Sequence, residues 1–423
     1  MNKFAILLSL ACTTAEAMAE DASLEPARLR EQTALNAIGP ELLAAHLRHD
    51  GIGNAMVSSA SLFYALSVLA LGADGASETL LEERLLADAD AALAEVAPQL
   101  ATRLVTDGDG HGRQGAFRLN NSVWSTSGGS QGTPFIFSED FVVAAERLYG
   151  AAHYVLDFTA PGASRTINDW ADETTDGLIP AIIDDQLLAT LDWAILNTAF
   201  FEGGWGTAMR RMDATDDYRF INLDGTAQAA ETLRTLDYVA SVVDLDDGSV
   251  AFQLPFAGGK YAFVLHVPAP DEADMPSWLL DDAVPHLADV ASQVLAANGP
   301  QHQLSIRLPV FAFSDSVTLR EGTPVTRALG LQPLFGARAD LSRLSETPSR
   351  VDLIKQDTRI ELDENGVRAA AATLIGGVRA TTVRPTYPPR AIVVDRPFTF
   401  AIVERETQAL IFNGVVVGVA VGE

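Results

Sequence analysis

The sequence contains one match to a catalytic serine motif, at residues 128–132. There Gly-Gly-Ser-Gln-Gly fits the pattern G-x-S-x-G with Ser130 at its centre. In α/β-hydrolases this pattern holds a nucleophilic serine on a sharp turn between a strand and a helix. Here Thr133 and Pro134 follow at once, and the neighbouring residues are rich in serine and glycine. This context favours a flexible loop, so a serine hydrolase that uses Ser130 is a remote alternative.

Residue types that bind metals are present, but their spacing predicts no metal site. None of the seven histidines lies in an H-x-x-x-H or H-E-x-x-H pattern. Asp107, Asp109 and Gly110 resemble the start of a calcium-binding loop, but the glutamate that would end such a loop is missing. No G-x-x-x-x-G-K-[ST] phosphate-binding loop occurs. We therefore expect no metal and no cofactor.

A different kind of chemistry is indicated between two predicted strands late in the chain. After residues 361–366 (Glu-Leu-Asp-Glu-Asn-Gly), a connection of about 25 residues leads to the next strand at Ala391. Most connections in compact domains are much shorter, and long ones are usually functional or disordered. Residues 364–384 are therefore the leading candidate for the working part of the molecule.

The composition of this connection favours function. No proline occurs between Gly366 and Arg384, so every amide there can join a β-ladder. Arg368 lies on the opposite face from a series of small or apolar residues at alternate positions: Val367, Ala369, Ala371, Thr373 and Ile375. Such a segment can be an exposed loop in one state and a central strand in another, because small side chains fit between packed strands. The alternative from the residues alone is an alanine-rich helix flanked by a linker.

Overall composition limits the possible partners. The chain has 423 residues, of which 48% are hydrophobic and 20% charged, which is typical of a globular protein. Its formal net charge of −27 repels phosphate backbones and anionic lipid headgroups, so binding to nucleic acid or a membrane surface is not expected.

The N-terminal residues 1–19 predict an export signal. Lys3 supplies the positive end, residues 4–12 are apolar but too short to span a bilayer, and Ala17-Met18-Ala19 offers a cleavage site. Cys12 is the only cysteine, so the mature chain from residue 20 would contain no disulfide. We expect an extracellular or periplasmic protein. A lipoprotein acylated at Cys12 is less favoured, because a serine stands where such signals usually have leucine.

The elements that must position the late segment predict an α+β fold. Residues 62–71 are almost wholly apolar and predict a buried helix, with Ser61 as its cap. Residues 191–201 are apolar on both faces, as expected of a central strand. Strands dominate from Tyr238 onward, without regular βαβ alternation or a composition break that would mark a domain boundary.

Several motifs, in order, resemble those of the serpin family over about residues 34–420. They are the hinge at 364–373, Asp-Arg-Pro-Phe-Thr-Phe at 395–400, Phe-Asn-Gly-Val-Val at 412–416, the strand and helix start at 54–62, the helix signature from Ile167 to Ile179, Asn197–Trp205, Leu308-Pro309 and residues 339–342. Each motif alone is moderately specific, and their joint order and spacing carry the resemblance.

The resemblance implies a serpin fold: N-terminal helices, a large central mixed or antiparallel sheet, smaller sheets and an exposed reactive-centre loop at about 364–390, in a single domain 20–423. It also implies a monomer that is not an enzyme but a suicide substrate of a serine protease, or also of a cysteine protease. The protease cleaves the loop, and insertion of the loop into the main sheet traps the covalent acyl-enzyme. A non-inhibitory binding protein with the same fold is the alternative.

The resemblance assigns two sets of residues to the loop. Counted from Gly366, the scissile bond falls at Ala380–Thr381, which suits an elastase-like or subtilisin-like protease. Arg379 or Arg384 would instead suit a trypsin-like one. The hinge residues are Glu364, Gly366, Val367, Ala369, Ala370, Ala371, Ala372 and Thr373.

A second region implied by the resemblance controls opening of the sheet. It comprises Ser58, Ser61, Asn197 and Gln356. Here the chain departs from the family, because Ser59 replaces a proline and Gln356 replaces a histidine. Val310 also replaces a basic residue that often pairs with the hinge acid, which predicts that Glu364 lacks that partner.

Overall fold

The computed structural model describes residues 29–30, 32–86, 100–105, 115–128, 133–235, 238–367 and 387–419. Residues 1–19 with Cys12, the residue Ser130 and the loop from Arg368 to residue 386 lie outside the described residues.

The described helices lie mainly in the first half of the chain. They are α1 (residues 32–50), α2 (Ser59–Gly72), α3 (Gly75–Leu86), α4 (residues 100–104), α5 (Glu139–Tyr149), α6 (Ala163–Thr174), α7 (Asp185–Leu188), α8 (Met275–Ser277), α9 (Leu287–Ala296), α10 (Pro324–Ala328) and α11 (Gln332–Phe335), with a π-helical turn at Trp278–Ala283.

The strands are distributed over three larger sheets and one small hairpin. They are β1 (Ala55–Val57), β2 (Ala116–Thr126), β3 (Ala152–Leu156), β4 (Trp193–Gly204), β5 (Met209–Met212), β6 (Arg219–Ile221), β7 (Ala227–Ala229), β8 (Thr232–Thr235), β9 (Tyr238–Ser241), β10 (Val243–Asp244), β11 (Val250–Pro255), β12 (Tyr261–Val267), β13 (Gln301–Pro309), β14 (Phe311–Leu319), β15 (Ile354–Leu362), β16 (Gly366–Val367), β17 (Pro389–Val393), β18 (Phe398–Glu404) and β19 (Leu410–Val416).

Helix α2 is the buried helix that the apolar run predicted, and it lies against β4 and β19. Phe63 and Leu66 have no exposed surface, and full burial of each such side chain contributes about 1.5–3 kcal/mol. The helix cap differs from the prediction. The hydroxyl of Ser58 accepts a hydrogen bond from the backbone N–H of Ser61 at 3.1 Å, so Ser58 is the cap and Ser61 lies inside the first turn. Several serines in a row made the capping residue ambiguous to within one turn.

The sheet that we call the closed sheet has the strand order β1-β19-β18-β12-β11-β10. All its neighbours are antiparallel, and every residue of β12, β18 and β19 is buried. The long hydrophobic strands predicted for the C-terminal half therefore form one continuous core layer.

The open sheet has the order β14-β15-β16-β4-β2-β3. The predicted central strand at residues 191–201 is β4, which pairs with β2 over ten residues, from Trp193–Ser125 to Glu202–Ala116. On its other side β4 meets only the two residues of β16.

A third sheet, with the order β17-β13-β8-β5 and β9 also paired to β13, lies where the undescribed loop ends and the chain re-enters the described fold at β17. Helices together with predominantly antiparallel sheets confirm the predicted α+β class.

Candidate functional site

The candidate site is a slot in the open sheet between β4 and β15, bridged at one end by β16. Val367 pairs with Leu362 of β15 and with Gly203 of β4, and Gly366 pairs with Gly204. Both contacts are antiparallel, so β4 and β15 run parallel to each other. Along the rest of these two fully described strands no hydrogen-bonded ladder joins β4 to β15. The facing edges of β4 and β15 therefore have no ladder below β16, although Cα atoms of the two strands approach within 8 Å of each other.

Gly366 is required at the top of the slot by close backbone approach. A Cβ atom at this position would lie 2.0 Å from the carbonyl oxygen of Gly203, and its φ is +154°. Gly203 is itself confined, because a Cβ there would lie 2.9 Å from the ring of Phe256. Two glycines facing each other thus allow β16 to enter between the strands.

The turn that precedes β16 is held by the carboxylate of Asp363 and the indole of Trp205, which were not among the predicted site residues. The Asp363 carboxylate accepts hydrogen bonds from the backbone N–H of Asn365 at 2.7 Å and of Gly366 at 3.2 Å. The Trp205 indole N–H donates to the Asp363 carbonyl at 2.8 Å, and the Trp205 backbone N–H donates to the Asn365 carbonyl. Trp205 is stacked on Phe256 with the rings 10° apart, so the turn is tied to the core. The position of Trp205 directly after β4 was the available signal.

Glu364, the hinge acid, has a basic partner, contrary to the expectation drawn from Val310. A guanidinium nitrogen of Arg211 on β5 lies 3.2 Å from the Glu364 carboxylate, and the same guanidinium also contacts Glu231. The carboxylates of Glu231 and, to a smaller extent, Glu364 raise the pKa of Arg211. The expectation was wrong because a residue on another strand supplies the charge, 153 positions away in sequence.

Two residues predicted to control opening of the sheet, Ser58 and Gln356, are in direct contact beneath the open sheet. The Gln356 side chain accepts from the Ser58 backbone N–H at 2.8 Å and donates to the Ser58 carbonyl at 2.9 Å. Ser58 Oγ in turn donates to the carbonyl of Ile411 on β19. Because these groups are buried, the Gln356 amide ties β15 to the start of α2, and Thr358 of β15 also donates to the carbonyl of Met56 on β1 of the closed sheet.

The other two predicted residues lie apart from this contact. Asn197, on β4, donates through its side-chain amide to the side chain of Asn121 on β2 at 2.5 Å, and its buried side-chain oxygen has no hydrogen-bond partner among the residues that the structure describes. Ser61 contributes its backbone N–H to the cap of α2. In this state the slot separates Asn197 from Gln356.

The lower part of the slot has apolar cavities on both of its faces. On the outer face, Ile182, Ile183 and Leu196 line a cavity that Lys355 borders. The Lys355 ammonium donates to the Ile182 carbonyl at 2.9 Å and pairs with Asp357 at 2.7 Å. On the inner face, a second cavity is lined by Ala65, Leu69, Trp193, Ile195, Val351, Leu353 and Ile354. These surfaces can accept apolar side chains of an added strand.

Of the predicted loop residues, the structure describes only Glu364, Gly366 and Val367, and Val367 is 3% exposed. The rest of the predicted hinge and all candidate scissile residues lie outside the described residues: Ala369, Ala370, Ala371, Ala372, Thr373, Arg379, Ala380, Thr381 and Arg384.

Two serine–histidine pairs occur in the described residues, and neither resembles a hydrolase site. Ser249 Oγ lies 2.8 Å from His266 Nε2, and Ser125 Oγ lies 2.9 Å from His153 Nε2. Both serines are at most 1% exposed, so no substrate can reach them. Burial lowers the pKa of His266 to about 4, and no described residue forms a hydrogen bond with its Nδ1 to orient the ring. Ser130 itself is not described.

Within the described ranges, no group of three or more His, Cys, Asp or Glu side chains is arranged to hold a metal ion. Over the same ranges, no helix combines the length and the apolar character needed to cross a membrane.

The sequence is similar to known proteins over most of its length. The model of the family described as "Serpin (serine protease inhibitor)" matches residues 33–419. Serpin-Z2A of Triticum aestivum is 26% identical over 378 residues, which cover 86% of this chain and 89% of the relative. Putative serpin-Z6A of Oryza sativa subsp. japonica is 30% identical over 383 residues, covering 86% and 93%.

Solved structures support the same fold. The thermophilic serpin Tengpin in its native state aligns with a TM-score of 0.72 and 20% identity, covering 92% of this chain and 95% of that one. Cleaved Serpin 42Da aligns with a TM-score of 0.75 and 18% identity, covering 93% of this chain and 100% of that one.

Proposed function

Because this chain belongs to the serpin family, we propose that it is a suicide-substrate inhibitor of a serine protease and that the slot between β4 and β15 receives its cleaved loop. Members of this family are generally protease inhibitors. The observation that supports the proposal is the two-residue strand β16, which begins a ladder on both sides, while the remaining edges of β4 and β15 that face the slot have no ladder. In this proposal the chain supplies a substrate loop and a receptor for it, and no catalytic residue.

Continuing the register of Gly366 and Val367 gives definite neighbours for an inserted strand. Ala369 would lie between Ile360 and Phe201, Ala371 between Thr358 and Ala199, Thr373 between Gln356 and Asn197, and Ile375 between Ile354 and Ile195. The neighbours on β15 are largely buried, so this face takes the small residues, and Arg368 takes the outer face. Thr373 would also lie between Asn197 and Gln356, the two residues on either side of the slot that the family resemblance assigns to sheet opening.

The two larger apolar side chains near the end of the segment would lie beside the two small apolar cavities. In the same register Leu374 would lie between Leu196 and Lys355 on the outer face, beside the cavity that Ile182 lines. Ile375 would enter the inner cavity formed by Trp193, Leu69 and Ile354. Insertion would remove this apolar surface from water, at about 25 cal/mol per Å².

The proposed reaction begins as ordinary proteolysis. The catalytic serine of the protease attacks the loop carbonyl at Ala380, releasing the amine of Thr381 and leaving an ester between the two proteins. Insertion of residues 368 onward then carries the protease away from its starting position and distorts it before water can hydrolyse the ester. We propose an elastase-like or subtilisin-like target for Ala380, and a trypsin-like target if Arg379 or Arg384 is used instead.

The setting of this reaction is proposed from the sequence. The export signal at residues 1–19 implies an extracellular or periplasmic inhibitor, of the secreted bacterial type, that acts as a monomer and forms a one-to-one covalent complex with its target. Nucleic acid, membranes, metals and cofactors have no part in the proposed mechanism.

The test is incubation of the purified mature chain with elastase, subtilisin and trypsin, followed by denaturing gels. At least one protease is expected to give a band at the summed mass that survives boiling in detergent. Mass spectrometry of the released C-terminal peptide would identify the scissile bond. Cleaved chain without a covalent complex for every protease would overturn the inhibitory proposal and favour a non-inhibitory binding protein.

A further inference from the structure

Three arginines form a row across the outer face of the third sheet. Arg210 on β5 is directly opposite Arg234 on β8, and Arg234 is directly opposite Arg307 on β13. Opposed residues of antiparallel strands project from the same face, with Cβ atoms about 5 Å apart. The other face of this sheet is hydrophobic, because the neighbours Leu233, Ile306 and Leu308 are buried, so the arginine row faces solvent.

Within the described part of the chain, Arg307 alone among these three arginines pairs with an acidic side chain. Arg307 pairs with Asp217 at 3.2 Å and lies over the ring of Tyr218. Arg234 makes a single long contact of 3.5 Å with the Ser305 hydroxyl, and Arg210 forms no hydrogen bond or ion pair with any residue that the structure describes. Both are exposed.

The row is unexpected in a chain with a net charge of −27, in which acidic residues outnumber basic ones by 56 to 29. Like charges placed directly opposite each other on neighbouring strands destabilise a sheet. An excess of acidic residues gives ample opportunity for a carboxylate to lie beside Arg210 and Arg234. Two uncompensated guanidinium groups therefore indicate that this face meets an anionic surface supplied by another molecule.

The position of the row identifies that molecule. At one end, Arg210 is followed directly by Arg211, which pairs with Glu364 at the start of the loop. At the other end, Arg307 is beside Val393 of β17, four residues after Pro389, where the chain returns from the loop. Four residues of strand span about 13 Å, well within the footprint of a protein bound to the loop. The row thus crosses the sheet from one base of the loop to the other.

We propose that Arg210 and Arg234, with Arg307 at the edge, form a docking surface for an acidic patch beside the active site of the protease that attacks the loop. This inference rests on the proposed inhibitory function and adds a determinant of target choice outside the loop. The overall charge of the chain repels an acidic protease, and the row gives that protease an attractive approach in the productive orientation. Charges placed in this way act mainly on the rate of association.

The experiment compares Arg210→Glu/Arg234→Glu with a control, Arg147→Glu/Arg320→Glu. The control makes the same change in net charge at two exposed arginines on α5 and after β14, away from the third sheet. Association rate constants would be measured with two subtilisin-type proteases, one with an acidic surface and one with a basic surface. Thermal melts and the amount of covalent complex at completion would show that both variants still fold and still inhibit.

For the acidic protease at low salt, the docking variant is expected to associate roughly tenfold more slowly and the control less than twofold more slowly. The difference should largely disappear in 1 M salt, where the screening length falls to about 3 Å. With the basic protease the docking variant should associate faster. Equal effects of the two variants, or no effect of either, would overturn the docking surface. Because complex formation is scored separately, that outcome would leave the inhibitory function intact, whereas absence of any complex would instead overturn the function.

Discussion

The closed sheet and the open sheet each contain six strands, but only the closed sheet is complete. In the closed sheet, β12, β18 and β19 pair along nearly their whole lengths and are buried throughout. In the open sheet, β4 begins with a largely apolar run from Trp193 to Phe201, yet half of the residues of the strand are only partly buried. This difference in burial arises from the strands that lie on either side of β4. β4 has β2 on one side, and on the other it has the two residues of β16.

The comparison indicates where the molecule can still gain stability. A paired and buried strand has no further backbone groups to satisfy, whereas β4 and β15 retain donors and acceptors that face each other without a ladder. Gly366, the buried amide of Gln356 and the apolar cavities all lie along this unladdered edge, where the proposed strand would insert. The first two changes below test whether the loop completes the open sheet. The remaining three test the native contacts at the edge of the slot.

The largest effect is expected for Ala369→Arg. In the extended register this side chain would point to the inner face beside Ile360, and a buried unpaired charge there costs several kcal/mol. The variant should be cleaved as a substrate and form little covalent complex, as measured on denaturing gels. Ala370→Arg is the matched control, because position 370 faces outward and should retain most of the inhibition. Equal loss in both variants would contradict the register.

Cleavage of the loop by a protease that forms no covalent complex should raise the midpoint temperature of unfolding by about 10 °C or more. The reason is that the freed segment can enter the slot and complete the ladders of β4 and β15. Differential scanning calorimetry before and after limited proteolysis measures the shift. A midpoint that stays the same after complete cleavage would show that the native state has no stability left to gain.

Gly366→Ala should lower the free energy of unfolding of the native protein by about 1–3 kcal/mol, since its Cβ would overlap the carbonyl of Gly203. Urea unfolding followed by fluorescence provides the measurement. Gly299→Ala is the control, because nothing lies within 4 Å of a Cβ at that position. If the two substitutions behaved alike, the close approach of β16 to β4 would be refuted.

Gln356→Ala should also destabilise the native state, by about 1–2 kcal/mol, because it leaves the buried N–H of Ser58 unpaired and removes one of the two hydrogen bonds that the Ser58 carbonyl accepts. The exposed Gln303 offers a control, and Gln303→Ala should change the unfolding free energy by less than about 0.5 kcal/mol. A neutral Gln356→Ala variant would mean that the contact between β15 and α2 does not hold the two elements together.

The smallest effect is expected for the pair Arg211–Glu364. Both side chains are more than a third exposed, so water and salt screen their attraction. A double-mutant cycle with Arg211→Ala and Glu364→Ala should give a coupling below about 1 kcal/mol that falls further in high salt. A coupling free energy of several kcal/mol would contradict this expectation, because an exposed ion pair with this geometry cannot contribute so much.

Local patterns in the sequence were sufficient for the type of many elements. The apolar run at residues 62–71 predicted α2, and the two-sided apolar run at 191–201 predicted β4. The strand-forming capacity of the proline-free stretch after Gly366 stays a prediction, because that stretch lies outside the described residues. The α+β class and the family resemblance followed from the same residues and are confirmed. These features depend on side-chain periodicity and turn chemistry within a few residues, which a sequence displays directly.

The remaining features depend on which distant residues meet. The partner of Glu364 is 153 positions away, and Gln356 reaches Ser58 across 298 positions. The row of Arg210, Arg234 and Arg307 exists only because of the register of three strands. No local pattern specifies these pairings, since a shift of one residue in register would reverse the face of every side chain. The sequence by itself predicts that the segment after Gly366 can become a strand, because its side chains alternate and it contains no proline before Arg384. The tertiary structure decided that a slot bounded by β4 and β15 stands open beside it, because only the packed sheets fix which ladder remains unfilled.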